Sequence, residues 1–132
     1  MQTNVQTQSQ KKQPLSVSDG LNELIVDAIQ DIKGKNIIVL DMRHLHDSPT
    51  DYFIICEGES NVQVKAIGEN VYKKLKSQHG IMPNHIEGAL KAQWVLVDYF
   101  STVVHVFHKE ARTFYELEDL WSDAHKTEFA DV

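Results

Sequence analysis

The sequence predicts a mixed α/β domain, a five-stranded sheet with its main helices on one face. Three observations carry this expectation. An early stripe of apolar residues recurs at helical spacing, two short β-branched or aromatic runs flank a turn and lead into a second helical stripe, and the C-terminal half changes to period-two alternation. The resulting order is helix, two strands, helix, three strands, helix. Such an order predicts a mixed sheet whose second face stays open.

Residues 1–17 are rich in Gln, Ser, Thr and Lys and show no periodicity, so they are expected to form a disordered leader. Leu21, Leu24, Ile25, Ala28, Ile29 and Ile32 then mark a first helix, with Ser16 or Ser18 as N-cap and Gly34 as its stop. Ile37-Ile38-Val39-Leu40 and Tyr52-Phe53-Ile54-Ile55-Cys56 have the composition of buried strands, and Asp47-Ser48-Pro49-Thr50 between them is turn chemistry. Ser60 and Gln63 fit the S-x-x-Q capping box of a second helix, whose apolar stripe is Val64, Ile67, Val71 and Leu75 and whose stop is Gly80 followed by Pro83. Short strands are expected at His85 to Glu87, Gln93 to Tyr99 and Thr102 to Phe107, joined as an antiparallel meander. In the helical tail Leu117, Leu120 and Trp121 share one face, which is expected to pack back on the domain. The folded domain is thus expected over 18–122, with 123–132 as a flexible tail.

Length and composition narrow the function. A chain of 132 residues suits one core, and its 42% apolar and 24% charged residues are ordinary for a globular protein. No stretch approaches the ~18 apolar residues of a membrane span, and Lys11 and Lys12 precede no apolar run, so the expected address is the cytoplasm. The single cysteine, Cys56, lies inside an apolar strand and reads as a buried thiol. A net charge of −6 disfavours broad phosphate-backbone binding and suits a basic protein partner.

The search for catalytic chemistry returns little. His44 with His46, and His105 with His108, are the candidate metal pairs, yet neither has a matched third ligand in the sequence, and His105 reads better as a satisfied core histidine. Gly58-Glu59-Ser60-Asn61, a strand-to-helix turn, has the position of a phosphate cradle, but it lacks the glycine-rich patterns and a helix cap accounts for it equally. Asp41 and Asp98 each stand alone on their strands, so the paired carboxylates of two-metal chemistry are missing. No nucleophile signature surrounds Ser60, Ser101 or Cys56. Neither a cofactor nor a metal is expected.

Aromatic residues concentrate in the C-terminal half: Trp94, Tyr99, Phe100, Phe107, Phe114, Tyr115 and Trp121. Alternation along Gln93 to Tyr99 places Trp94, Leu96 and Asp98 on one face and Val95, Val97 and Tyr99 on the other. Trp and Tyr commonly anchor protein interfaces, and Glu87, Asp98, Glu116 and Glu118 are available as an acidic rim. Pattern alone leaves both an interface and plain core packing open.

Asp51-Tyr52-Phe53-Ile54-Ile55-Cys56-Glu57-Gly58 and Gln63-Val64-Lys65-Ala66-Ile67 resemble motifs of the Iojap-like family of ribosomal silencing factors, RsfS. Ile86-Glu87-Gly88, the run from Trp94 to Tyr99, Val103-Val104-His105-Val106-Phe107 and the run from Arg112 to Trp121 follow in that family's order and spacing. The likeness covers about Leu21 to Asp123. It departs after Tyr99, where the family pattern has Gly-Asp and this chain has Phe100-Ser101.

The resemblance implies a nucleotidyltransferase-like α/β fold without the catalytic carboxylates. It also implies a non-enzymatic repressor that binds ribosomal protein number fourteen of the large subunit and blocks joining of the small subunit when nutrients are scarce; for such a partner the negative net charge predicts little direct rRNA contact. Carried over by motif, the contact residues are Trp94, Tyr99 and Tyr115, with Glu87 and Asp98 as acidic partners. The alternatives are a residual nucleotidyltransferase-like or phosphate-binding enzyme using the turn at Gly58, and a homodimer that covers the open face.

Overall fold

The computed structural model describes the backbone of residues 17–132 and side chains from residue 20 onward. The expected leader, and Ser16 as a cap, lie outside this range apart from Val17. The chain runs α1 (Val17–Asp31), β1 (Lys35–Asp41), β2 (Tyr52–Gly58), α2 (Asn61–His79), β3 (His85–Glu87), β4 (Trp94–Asp98), β5 (Thr102–His108), α3 (Lys109–Tyr115), α4 (Leu117–Leu120) and β6 (His125–Glu128). Ser18 is therefore the second residue of α1 and does not precede it.

The strands form one mixed sheet in the order β3-β4-β5-β2-β1-β6. Only β2 and β5 run parallel; every other neighbouring pair is antiparallel. The parallel pair is central and its chain connection passes through α2, as a parallel crossover requires.

Both main helices lie on one face. Leu21, Ile25, Val26, Ala28 and Ile29 of α1 and Val64, Ile67, Val71 and Leu75 of α2 join inward residues of the strands in the larger core. Helix α2 sits close to the sheet at Gly68, where a methyl group would stand 2.9 Å from a Val95 methyl. The cap forms at the residues the sequence predicts, with its return bond shifted by one: Ser60 Oγ accepts from Gln63 N at 3.1 Å, and Gln63 Oε1 accepts from the N–H of Glu59, the residue before the cap, at 2.7 Å. At the other end Gly80 takes φ +67°, and its N–H and that of Ile81 close onto Lys76 and Leu75 carbonyls. The two helices are joined to each other by Asn70 Nδ2 donating to the Ala28 carbonyl at 2.7 Å. Helix α1 is tied to β5 by the buried bond from Thr102 Oγ1 to Asn22 Oδ1, also 2.7 Å.

The opposite face is half covered. Ile38, Leu40, Phe53, Ile55 and Phe107 form a second core there, roofed by Leu117, Trp121, Leu45 and Ala124. The expected single C-terminal helix is two short helices, because Glu116 adopts φ +48° between them. That break turns Leu120 outward, 72% exposed, while Leu117 and Trp121 pack inward as expected.

The tail expected to be flexible beyond Ser122 instead supplies a sixth strand, β6, paired antiparallel with β1 from Ile38↔Glu128 to Asp41↔His125. All four of its side chains are exposed, so backbone hydrogen bonds and not an apolar stripe hold it there. Phe129 anchors its end, packing on the helix-side core and donating its N–H to the Ile37 carbonyl at 2.9 Å.

Candidate functional site

The strand register builds one surface from β3, β4 and β5. Val95 and Val97 point into the helix-side core, which turns Trp94, Leu96 and Asp98 to the other face, each half-buried. Across the pairing to β5, Trp94 lies opposite Phe107, Leu96 opposite His105 and Asp98 opposite Val103. On the other side His85 lies opposite Asp98 and Glu87 opposite Leu96. An aromatic and aliphatic centre is thus edged by two carboxylates, Glu87 on the outer strand and Asp98 at the end of β4.

Trp94 is held on three sides. Its ring lies 4.8 Å from Phe107 and 4.7 Å from Tyr115, and its indole N–H donates to His105 Nδ1 at 3.0 Å. Accepting at Nδ1 places the proton of the neutral imidazole on Nε2. Burial keeps the ring neutral, pushing the His105 pKa down to about 4, and Phe53 packs against it edge-on at 4.4 Å. Helix α3 brings Tyr115, 50% exposed, and Phe114, 78% exposed, to the border of this surface.

The acidic edge carries a histidine between its carboxylates. His85 Nε2 stands 2.7 Å from Glu87 Oε2, and its Nδ1 lies 3.6 Å from Asp98 Oδ2. Asp98 also accepts from the Phe100 N–H at 2.8 Å. The close passage of β3 past β4 needs glycine at position 88: Gly88 has φ +83°, and any Cβ there would collide with the Trp94 carbonyl.

Arg112 fixes α3 and α4 in place. Its buried guanidinium reaches the Asn36 carbonyl at 2.5 Å, Glu57 at 3.1 Å and Glu118 at 3.0 Å. One side chain therefore ties both short helices to β1 and β2, and with them the position of Tyr115.

The sequence model of the family described as "Ribosomal silencing factor during starvation" matches residues 16–132. The chain belongs to the ribosomal silencing factor family. It is similar to the ribosomal silencing factor RsfS of Halalkalibacterium halodurans, 41% identical over 112 residues, 85% of this chain and 94% of the relative. A more distant likeness is to a mouse protein named "Mitochondrial assembly of ribosomal large subunit protein 1", 32% identical over 76% of this chain and 44% of its own length. A crystal structure of a Chromobacterium violaceum protein superposes with TM-score 0.76 at 39% identity, covering 82% of this chain and 88% of that one.

Of the five residues that the silencing-factor motifs point to, the structure brings four together. Trp94, Asp98 and Glu87 share the β3–β4–β5 surface, and Tyr115 leans on Trp94. Tyr99 does not join them. It is 6% exposed on the helix side, where it extends the inward row of Val95 and Val97, and burial pushes its phenol up to about 12. The hairpin turn keeps it there, since Tyr99 N donates to the Thr102 carbonyl at 2.8 Å. Leu96, His85 and Phe114 belong to the surface and were not assigned by motif. The outward position of Leu96 is implied by the same alternation, whereas His85 becomes visible only once β3 is registered against Asp98.

The turn at Gly58 uses its own side chains as partners. The Gln63 and Ser60 side chains occupy two of the N–H groups at this turn, those of Glu59 and Gln63, and the Glu59 carboxylate, which would repel a phosphate, pairs with Lys109 at 2.8 Å. The histidine pairs are separated in their roles. His44 packs on His125 with rings 4.5 Å apart, His105 holds Trp94, and His108 Nδ1 accepts from Glu110 N at the start of α3. Among the described residues no group of three or more His, Cys, Asp or Glu is placed to hold a metal ion. Cys56 is fully buried, which pushes its thiol up to about 12. No described helix is long and apolar enough to cross a membrane.

Proposed function

We propose that this protein represses translation without catalysis, docking its β3–β4–β5 surface on the large ribosomal subunit through ribosomal protein number fourteen and so keeping the small subunit from joining under nutrient limitation. The observation that supports this most is Trp94, in contact with Phe107 and Tyr115 on the same surface as the Glu87 and Asp98 carboxylates. A central aromatic anchor with an acidic border is the arrangement suited to a basic protein surface. The net charge of −6 favours that partner over exposed rRNA, so little direct rRNA contact is proposed. Relatives named as silencing factors, and a mouse relative named for large-subunit assembly, support the same target. The proposed place of action is the cytoplasm, with the ribosomes.

The experiment mixes purified large and small subunits with and without the protein and separates the products on a sucrose gradient. Preincubation with the large subunit is expected to reduce the whole-ribosome peak; an unchanged peak at saturating protein counts against the reading. A second copy covering the same face is the alternative that exposed Phe114 and Leu120 favour. Light scattering distinguishes the two, a doubled mass supporting the homodimer. The enzyme alternative is tested by calorimetry with nucleotides and magnesium, where no heat of binding is expected.

A further inference from the structure

The tilted contacts of Phe107 and Tyr115 with Trp94 hold the indole against two rings but do not decide which of its edges faces inward. A ring turned over beside those two neighbours keeps an aromatic contact with each and presents a different edge to solvent. What distinguishes the two orientations is the 3.0 Å bond from the indole N–H to His105 Nδ1. We propose that His105 is the positioning residue of this site, selecting the Trp94 orientation presented to the partner; the inference rests on the docking reading above.

A second observation points the same way. His105 is 4% exposed in a strand whose neighbours are Val103, Val104 and Val106, and its Nε2 has no hydrogen-bond partner among the described residues. An aliphatic residue there would avoid the cost of a buried unpaired donor, so packing alone does not account for an imidazole. Its own orientation is set by Phe53, edge-on at 4.4 Å, and by the register that places it opposite Leu96. Accepting from Trp94 is the one bond its side chain makes in the described structure. His105 therefore acts through Trp94 and itself need not touch the partner.

The test compares wild type, His105→Phe and His105→Asn in a Trp121→Phe background, so that the one indole proton signal belongs to Trp94. Phenylalanine keeps a ring against Phe53 and removes the acceptor; asparagine offers an amide oxygen near the Nδ1 position. His105→Phe is expected to expose the indole proton to rapid solvent exchange and to weaken binding to purified large subunits about tenfold, about 1.4 kcal/mol. His105→Asn is expected to restore protection of the proton and most of the affinity. In a Trp94→Phe background, which has no N–H to hold, His105→Phe is expected to change affinity by less than twofold. Binding by His105→Phe within twofold of wild type, or an equal loss in the Trp94→Phe background, overturns the proposal. His105→Leu replaces His105→Phe in every arm if the latter does not fold. Should wild type itself not bind large subunits, the docking reading fails, and the exchange of the indole proton still decides whether His105 positions Trp94.

Discussion

Trp94 on β4 and Tyr115 at the end of α3 meet with ring centres 4.7 Å apart, joining the open part of the sheet to the C-terminal helices. This contact makes the site composite. Its sheet half follows from strand register, and its helix half depends on how α3 and α4 are held.

Arg112 is what holds them, so its loss is expected to disturb stability and site together. Arg112→Met leaves the Glu57 and Glu118 carboxylates in a mostly buried setting without their cation, at a cost of about 3–5 kcal/mol. Arg112→Lys is expected to recover less than half, because an ammonium cannot span three acceptors as the planar guanidinium does. Urea unfolding monitored by circular dichroism measures both; an Arg112→Met midpoint equal to that of wild type would contradict this role.

Tyr99 offers the opposite case. Its hydroxyl is buried without a hydrogen-bond partner among the described residues. Tyr99→Phe is expected to leave stability unchanged or raise it by up to about 1 kcal/mol, and to leave large-subunit binding unaltered. A variant that folds normally yet loses affinity would return Tyr99 to the site.

Phe100 sits at φ +70°, with Ser101 N donating back to the Tyr99 carbonyl across it, and is 71% exposed. A left-handed conformation costs a residue with a β-carbon about 1 kcal/mol or more, and an exposed ring recovers little of that by packing. Phe100→Gly is expected to raise the melting temperature by about 4 °C. A lower melting temperature would mean that the Phe100 ring makes contacts worth more than the strain.

His105 gives stability a pH dependence of definite sign. Its folded pKa of about 4 lies below the ordinary 6.5, so the unfolded chain takes up a proton at a higher pH than the folded one does. The stabilisation is complete above 6.5, falls as the pH drops from 6.5 to about 4, and levels off below that, a total of about 3 kcal/mol. The unfolding free energy of wild type minus that of His105→Phe should fall by about 3 kcal/mol as the pH drops across that window. Parallel curves would contradict a buried neutral imidazole.

Much of this architecture was legible in the sequence because the signals were local. The Ser60–Gln63 box, the Gly80 stop and the apolar stripes of α1 and α2 all act within a few residues, and each reappears as a bond or a buried face. Strand β6 was not legible: His125–Glu128 is exposed on every side chain and is held by backbone pairing to a strand far away in sequence. The outward turn of Leu120 follows from the left-handed Glu116, which no residue pattern announces. For β4, alternation separated Trp94 from Tyr99 correctly. It left open which row faces the core, since both rows carry large side chains, and only the position of α2 decides that Val95, Val97 and Tyr99 are inside. The pairing of Trp94 with Tyr115 and the imidazole behind it are tertiary relations, visible once β4, β5 and α3 are assembled.

The most direct measurement is the affinity of Trp94→Ala for purified large ribosomal subunits, beside wild type and with folding verified by circular dichroism. An anchor at the centre of the docking surface should cost about 2 kcal/mol or more when truncated, about thirtyfold in affinity. A folded Trp94→Ala protein that binds within twofold of wild type would show that this face of the sheet is not where the ribosome is held.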